Sequence, residues 1–151
     1  MQDKIAILIK RIGLECDKLS YHILEPYNLT TTQYRILKLL LLNPPCSLRQ
    51  VDVEQHFAIR NPTVTGILQN LEKKGLIERR TNPQDSRSKV ICLTGKALAM
   101  EALLYQLGDQ LEETLTRNLD AKDKKQLIKL LKKMMGQTET VEGGFRGTTS
   151  P

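Results

Sequence analysis

Strong helix start and stop signals divide the middle of this chain at short intervals, and their spacing limits the possible folds more than any other feature. Pro44 and Pro45 are adjacent and cannot continue an α-helix. Asn61 followed by Pro62 is typical of a helix start, and Gly75 is typical of a helix end. The stretch between these signals therefore has room only for short helices joined by tight turns.

Two short helices are predicted in this stretch. Ser47 and Gln50 have the spacing of a capping box, so we expect a helix from Ser47 to about Phe57. A four-residue turn over residues 58–61 follows, and Asn61 caps the second helix. Apolar residues predict the buried faces, which are Leu48, Val51 and Phe57 in the first helix and Val64, Ile67, Leu68 and Leu71 in the second.

A basic β-hairpin is predicted after the second helix. Residues 76–80 and 89–93 have strand character, and residues 81–86 are rich in turn-forming types. Residues 73–89 carry six Lys and Arg against two Asp and Glu. Two short helices followed by a basic hairpin predict a winged helix-turn-helix, within a chain that is mainly α with an α+β centre. In such a unit the second helix enters the major groove of DNA.

Longer helices are predicted on both sides of this unit. The first, residues 4–25, carries Ile5, Ile12 and Leu19 at intervals of seven, a narrow apolar seam typical of helices that pack on other helices. Thr30 and Gln33 form a second capping box, which starts the next helix.

The C-terminal part of the chain is also predicted to be helical. Thr94 caps a long helix that extends to about residue 118, and a last helix covers residues 121–135. We expect residues 1–28 and 95–136 to form a helical dimerisation region and residues 29–94 to form the DNA-binding domain. We expect residues 137–151, rich in Gly, Thr and Ser, to be a disordered tail.

The outward face of the second short helix and the hairpin supply candidate DNA-binding residues. Small polar side chains can bond bases or phosphates while the helix lies close to the groove, and a lone arginine on a hairpin tip suits the narrow minor groove. The candidates are Asn61, Thr63, Thr65, Gln69 and Asn70 on the helix and Arg80, Arg87 and Lys89 on the hairpin.

Composition excludes several other classes of protein. A net charge of +6 over 151 residues favours an acidic partner, double-stranded DNA first, although charge alone does not establish one. No apolar stretch approaches the ~20 residues that a membrane span needs, so we expect no membrane partner. Cys16, Cys46 and Cys92 are an odd number at wide spacing, which indicates reduced thiols in a cytoplasmic protein. Because no metal, phosphate-loop or catalytic motif is present, we expect no metal, no cofactor and no enzymatic activity.

Four segments carry a resemblance to a known family. They are Leu29-Thr30-x-x-Gln33-Tyr34-x-x-Leu37, Asn61-Pro62-Thr63-Val64-Thr65, Leu71-Glu72-x-x-Gly75-Leu76-Ile77, and Asp85-x-Arg87 leading to Leu93-Thr94. Together they resemble the MarR family of dimeric bacterial transcriptional regulators, over about residues 4–135.

The resemblance implies a sequence-specific DNA-binding regulator, expected to be a repressor, that acts as a homodimer on a palindromic operator. It implies that Asp85 supports the wing by pairing with Arg87, which reaches the minor groove. It also implies a cavity for a small aromatic or lipophilic effector, with the candidate lining residues Tyr21, His22, Tyr34 and Arg35. The chain departs from the family pattern at Gly66, where many members carry Arg, and at Gly95, which follows Thr94 directly.

Two alternatives remain open at this point. The winged unit, or the basic helix at residues 121–135, could instead make the chain a protein-interaction module, although the lysines of that helix are more simply a solvated face. Cys16 could be a redox sensor, although a small buried apolar residue is the favoured interpretation, as it is for Cys46 and Cys92.

Overall fold

A computed structural model describes residues 3–137, which contain seven α-helices, a short 3₁₀ turn at Glu25–Tyr27 and one small sheet. The helices are α1 (Ile5–Leu24), α2 (Thr31–Leu42), α3 (Gln50–Phe57), α4 (Asn61–Lys73), α5 (Gly95–Ala99), α6 (Glu101–Leu115) and α7 (Ala121–Met134). The strands are β1 (Leu48–Arg49), β2 (Ile77–Asn82) and β3 (Asp85–Leu93). The expectation of a mainly helical winged fold is therefore confirmed.

The chain divides into two compact units, Met1–Leu115 and Thr116–Pro151. The first unit contains α1 to α6 and the sheet, and the second contains α7. The boundaries predicted for the dimerisation and DNA-binding regions stay predictions. Nearly all of the predicted tail, residues 138–151, lies outside the described residues.

The core of the first unit lies between α2, α3, α4, α6 and the inner face of the sheet. Its best-buried side chains are aliphatic and are at most 1% exposed: Ile36, Leu37, Val53, Val64, Leu68, Leu71, Ile91 and Leu104. Val64, Leu68 and Leu71 lie on one side of α4, so burial of this stripe leaves the opposite side of the helix free.

The capping box predicted at the start of α2 is confirmed. The Thr30 hydroxyl accepts the Gln33 N–H at 3.1 Å, and Gln33 Oε1 accepts the Thr30 N–H at 3.2 Å. Thr94 also caps its helix, since its hydroxyl accepts the Ala97 N–H at 3.3 Å.

The predicted capping of the two central helices is wrong in detail. The N–H of Arg49 is accepted by Asp52 at 2.8 Å, so α3 begins at Gln50, while the Ser47 hydroxyl donates to the Pro44 carbonyl at 2.6 Å. Helix α4 begins at Asn61 itself, one residue earlier than expected.

The buried residue of α3 also differs from the prediction. Val53 is fully buried, whereas Val51 is 39% exposed. Helix α3 starts at Gln50, two residues later than a cap at Ser47 implies, because residues 48 and 49 form strand β1 instead of the first helical turn.

The sheet is antiparallel, with the strand order β1-β3-β2. The hairpin strands are longer than predicted because Thr81 and Asn82 continue β2, and Asp85 and Ser86 begin β3. Strand β1 was not predicted at all. Its two residues pair with Ile91 and Val90 of β3, a contact between distant segments that local sequence does not reveal.

The predicted long helix after Thr94 is interrupted at Met100. The Met100 N–H bonds the carbonyl of Ala97, three residues back, and α6 then starts at Glu101. Helix α6 ends at Leu115, so the predicted end near residue 118 is also too late.

Two of the three cysteines form a disulfide, which corrects the expectation of reduced thiols. Cys46 and Cys92 are bonded, with their Cα atoms 4.6 Å apart and a sequence separation of 46. Cys46 adopts a left-handed backbone (φ 55°) directly after Pro44 and Pro45, and this turn brings the loop onto β3. Cys16, half-buried on α1, is the free cysteine of the described residues.

Candidate nucleic-acid interface

Helix α4 presents a polar face opposite its buried stripe. Asn61, Thr63, Gln69 and Asn70 are exposed, and Thr65 is half-buried. Gly66 lies on the same helix, and a Cβ atom added there would meet nothing within 4 Å. The face therefore consists of small, hydrogen-bonding groups that a groove could approach closely.

A chain of side-chain hydrogen bonds joins α3 to the first turns of α4. Gln50 Nε2 donates to Thr65 Oγ1 at 2.8 Å and to Glu54 Oε1 at 3.1 Å, and Thr65 Oγ1 donates to Asn61 Oδ1 at 3.3 Å. We call Gln50, Glu54, Thr65 and Asn61 the amide relay. Sequence reasoning missed Gln50 and Glu54, because their link to Thr65 depends on how α3 crosses α4.

The wing tip is held by local hydrogen bonds. Asp85 Oδ1 accepts the backbone N–H of Arg87 at 3.0 Å, and Asn82 Nδ2 donates to Ser88 Oγ at 3.1 Å. Asp85 thus supports Arg87 through the main chain rather than by the side-chain ion pair that the family resemblance implied. Arg87 itself is exposed.

Ion pairs distinguish the basic residues of the hairpin from one another. Within residues 3–137 the ion pairs join Arg49 to Asp52, Arg79 to Glu72, and Arg80 to Glu78. Neither Arg87 nor Lys89 takes part in an ion pair in this described part of the chain, so their charges are available to phosphates. Arg80 is already partly neutralised by its neighbour.

A groove of about 350 Å³ lies between the start of α3 and the hairpin. Its basic lining residues are Arg49, Arg79 and Lys89. The side-chain hydrogen bond to Asp52 raises the pKa of Arg49 above its already high value, so this guanidinium stays charged. Arg49 is a cation that sequence reasoning did not select, because a cap at Ser47 placed it in the first turn of a helix and the structure places it in β1.

The four residues predicted to line an effector cavity do not converge within one chain. Tyr21 lines a cavity of about 390 Å³ together with Glu25, Thr30 and Lys74, and its ring lies edge-on to His22 with the centroids 5.7 Å apart. Tyr34 instead donates its hydroxyl to the Leu104 carbonyl at 3.0 Å. The Arg35 guanidinium lies over the Phe57 ring, 4.9 Å from its centroid.

The geometry defines a class of protein. Helix α4 has an exposed polar face, packs against the short helix α3 and is followed by a basic hairpin. This arrangement is a winged helix-turn-helix, the DNA-binding unit of many transcriptional regulators. Helices of the length and apolar character needed to cross a bilayer are absent from residues 3–137.

Comparison with known proteins narrows this class to a family. The MarR family profile matches residues 29–89. The multiple antibiotic resistance protein MarR of Salmonella typhimurium is 31% identical over 135 residues, which cover 85% of this chain and 88% of that protein. The chain therefore belongs to the MarR family.

Solved structures of relatives agree with this assignment. The S. aureus MepR–DNA complex superposes with a TM-score of 0.80 at 29% identity, covering 89% of this chain and 98% of that one. A cysteine-to-serine variant of E. coli MarR complexed with operator DNA superposes with a TM-score of 0.78 at 29% identity, covering 87% of this chain and 93% of that one. The protein is a DNA-binding transcriptional regulator, and MarR-family proteins are not enzymes.

Proposed function

We propose that this protein is a homodimeric repressor that binds a palindromic operator, with α4 in the major groove and Arg87 of the wing in the minor groove. The observation that carries the proposal is the exposed polar face of α4 beside a wing whose Arg87 and Lys89 have no ion pair among the described residues. The remaining base or phosphate contacts are assigned to Thr63, Gln69, Asn70 and Arg80.

Unpartnered apolar side chains support the homodimer. Ile5 and Ile12 of α1 are 65% and 57% exposed, and Leu130 of α7 is 50% exposed. An isolated chain gains nothing from exposing such groups, and a second copy can cover them. Two winged units on a two-fold axis would then bind half-sites about 10 base pairs apart.

An effector is part of the proposal, as the family resemblance implies. The cavity beside Tyr21 contains Lys74, a cation at the C-terminal end of α4, which would suit a small anion. In the dimer, the ligand would bind best to a conformation in which the spacing of the two α4 helices does not match successive major grooves. Such a ligand lowers the affinity for DNA by reciprocal linkage. We place the regulator in the cytoplasm, where the Cys46–Cys92 disulfide would be open to reduction.

Selection of genomic fragments by the purified protein tests the proposal. The experiment is run at about 0.15 M salt with sequencing of the bound fragments, and the mass of the protein is measured in parallel. We expect a recovered palindrome and a dimer mass, and a palindrome that overlaps a promoter would support repression. Binding that depends little on salt and selects no motif would contradict the proposal and favour the protein-interaction module, because phosphate contacts release counterions.

A further inference from the structure

The amide relay has only one consistent direction of hydrogen bonding. The carboxylate of Glu54 can accept hydrogen bonds but cannot donate them, so the Gln50 atom that faces it at 3.1 Å must be the amide nitrogen. The second hydrogen of that nitrogen points to Thr65 Oγ1 at 2.8 Å. The Thr65 hydroxyl is therefore an acceptor towards Gln50.

This direction leaves the Thr65 hydroxyl with a single hydrogen to give. That hydrogen is directed to Asn61 Oδ1, 3.3 Å away. Both hydrogens of the Gln50 amide and the hydroxyl hydrogen of Thr65 are therefore used within the protein. None of them remains to bond a base. Of the groups on Thr65 and Asn61, those left for a groove are the γ-methyl group of Thr65 and the amide hydrogens of the exposed Asn61, beside the exposed Thr63.

These two groups match different features of the major groove. A methyl group packs against the 5-methyl group of thymine, the one apolar group that bases expose there. An amide N–H₂ donates to acceptors such as the O4 of thymine, the O6 and N7 of guanine, or a phosphate oxygen.

We propose that Gln50, oriented by Glu54, is a specificity-determining positioning residue, which commits the Thr65 hydroxyl inside the protein so that Thr65 selects thymine through its methyl group. This inference rests on the proposed function, since it requires α4 to lie in the major groove. In the same arrangement the Asn61 oxygen accepts the Thr65 hydroxyl, and the Asn61 amide nitrogen keeps its hydrogens to donate.

The test uses the operator obtained by fragment selection, with each thymidine of one half-site replaced in turn by deoxyuridine. This change removes only the 5-methyl group and leaves base pairing intact. For the wild-type protein we expect one position at which the replacement weakens binding about fourfold, the value for burying one methyl group. For each variant we take the ratio of its affinity for the thymidine operator to its affinity for the deoxyuridine operator. A general loss of stability affects both affinities equally and cancels in this ratio.

Three variants and a control separate the parts of the relay. Thr65→Ser, which keeps the hydroxyl and loses the methyl group, should lower the ratio to about one. Thr65→Val, which keeps a methyl group, should retain the fourfold ratio. Gln50→Ala should lower the ratio, because the freed Thr65 hydroxyl can turn towards the base. Gln55→Ala, an exposed glutamine of the same helix, should leave the ratio unchanged.

The outcomes distinguish this inference from the proposed function. If the wild-type protein binds its operator but deoxyuridine has no effect at any position, the inference is wrong and the proposed function stands. The inference would also be overturned if Thr65→Ser kept the wild-type ratio, or if Gln50→Ala and Gln55→Ala gave equal ratios. If the protein selects no operator, both proposals fail together.

Discussion

Gly108 lies in the middle of α6, where glycine is normally unfavourable, because Tyr34 leaves no room for a side chain. A Cβ atom at this position would come within 2.5 Å of the Tyr34 hydroxyl oxygen but would be 3.8 Å from Cζ of the ring. The hydroxyl is held in place by its bond to the Leu104 carbonyl. Burial, reinforced by Asp109 and Tyr105, raises the pKa of Tyr34, so the hydroxyl stays protonated at neutral pH.

Removing the Tyr34 hydroxyl should therefore reverse the effect of an alanine at position 108. In the wild-type background we expect Gly108→Ala to lower the free energy of unfolding. In the Tyr34→Phe background the same change should raise it by up to about 1 kcal/mol, the helix-propensity gain of alanine over glycine. Urea unfolding of the four proteins measures this.

Gly13 of α1 provides the matched control. A Cβ atom there meets nothing within 4 Å, so Gly13→Ala should be stabilising in both backgrounds by about 1 kcal/mol. Stabilisation of the wild-type protein by Gly108→Ala would show that the Tyr34 contact does not exclude a side chain.

The two arginines of the wing should differ in their contribution to DNA binding. Arg87 has no ion pair among residues 3–137, whereas Arg80 is paired with Glu78. We expect Arg87→Ala to weaken operator binding by about 1–3 kcal/mol and to reduce the salt slope by about one. Arg80→Ala should have a smaller effect, because its phosphate contact would first have to break the pair with Glu78. Fluorescence anisotropy over a salt series decides between them, and equal losses would refute the distinction.

At the scale of elements, the disulfide closes the loop that contains α3, α4 and the hairpin. Cys46 is separated from β1 only by Ser47, and Cys92 lies in β3, the central strand of the sheet. The bond thus joins the start of the helix-turn-helix to the end of the wing, which are also paired through β1 and β3.

Reduction of this disulfide should lower the stability of the protein. A closed loop of 46 residues corresponds to about 4 kcal/mol in the chain-entropy estimate, which is an upper value when the reduced chain stays compact. We expect dithiothreitol to lower the urea midpoint of the wild-type protein and to leave that of a Cys46→Ser/Cys92→Ser variant unchanged. A Cys16→Ser variant should respond to dithiothreitol like the wild type. Lack of any response in the wild type would mean that the bond contributes nothing to stability.

Helix starts determined by local chemistry could be predicted from sequence, and long-range contacts could not. The Thr30–Gln33 box and the Thr94 cap were found because donor and acceptor are three residues apart. The short strand β1 and the disulfide depend on segments more than forty residues apart, which no local pattern reveals.

The candidate interface divides in the same way. The polar face of α4 follows from helical periodicity, which placed its buried and exposed residues on opposite sides. The amide relay joins Gln50 to Thr65, fifteen residues away on another helix, and therefore requires the packing of α3 on α4. The groove that contains Arg49 likewise depends on the unpredicted strand β1.

At the scale of the whole molecule, helices α1 and α7 each expose apolar side chains. On α7, four apolar side chains are between 40% and 59% exposed: Leu127, Leu130, Leu131 and Met134. On α1, five large hydrophobic side chains are more than 44% exposed. Faces of this kind at both ends of a regulator fit assembly by its terminal helices, as the family resemblance implied.

A charge placed in the α1 seam should separate dimerisation from folding. Ile12 is 57% exposed in the single chain, so Ile12→Glu should leave the fold of that chain intact. We expect this variant to be monomeric by light scattering and to lose about 10²-fold or more in operator affinity, because linkage of the two half-sites is lost. Lys10→Glu, at a neighbouring exposed position, should remain dimeric. A dimeric Ile12→Glu variant would exclude this seam from the interface.

One oxygen atom connects the beginning of α2 to the end of α4. Gln33 Oε1 accepts both the Thr30 N–H at 3.2 Å and the Lys74 ammonium at 2.8 Å, and that ammonium also bonds the Asn28 carbonyl. The last turn of α4 cannot unravel without releasing a bond that also holds the first turn of α2. In native-state hydrogen exchange these two helix ends should consequently open as one cooperative unit, and Lys74→Met should let them exchange at separate rates.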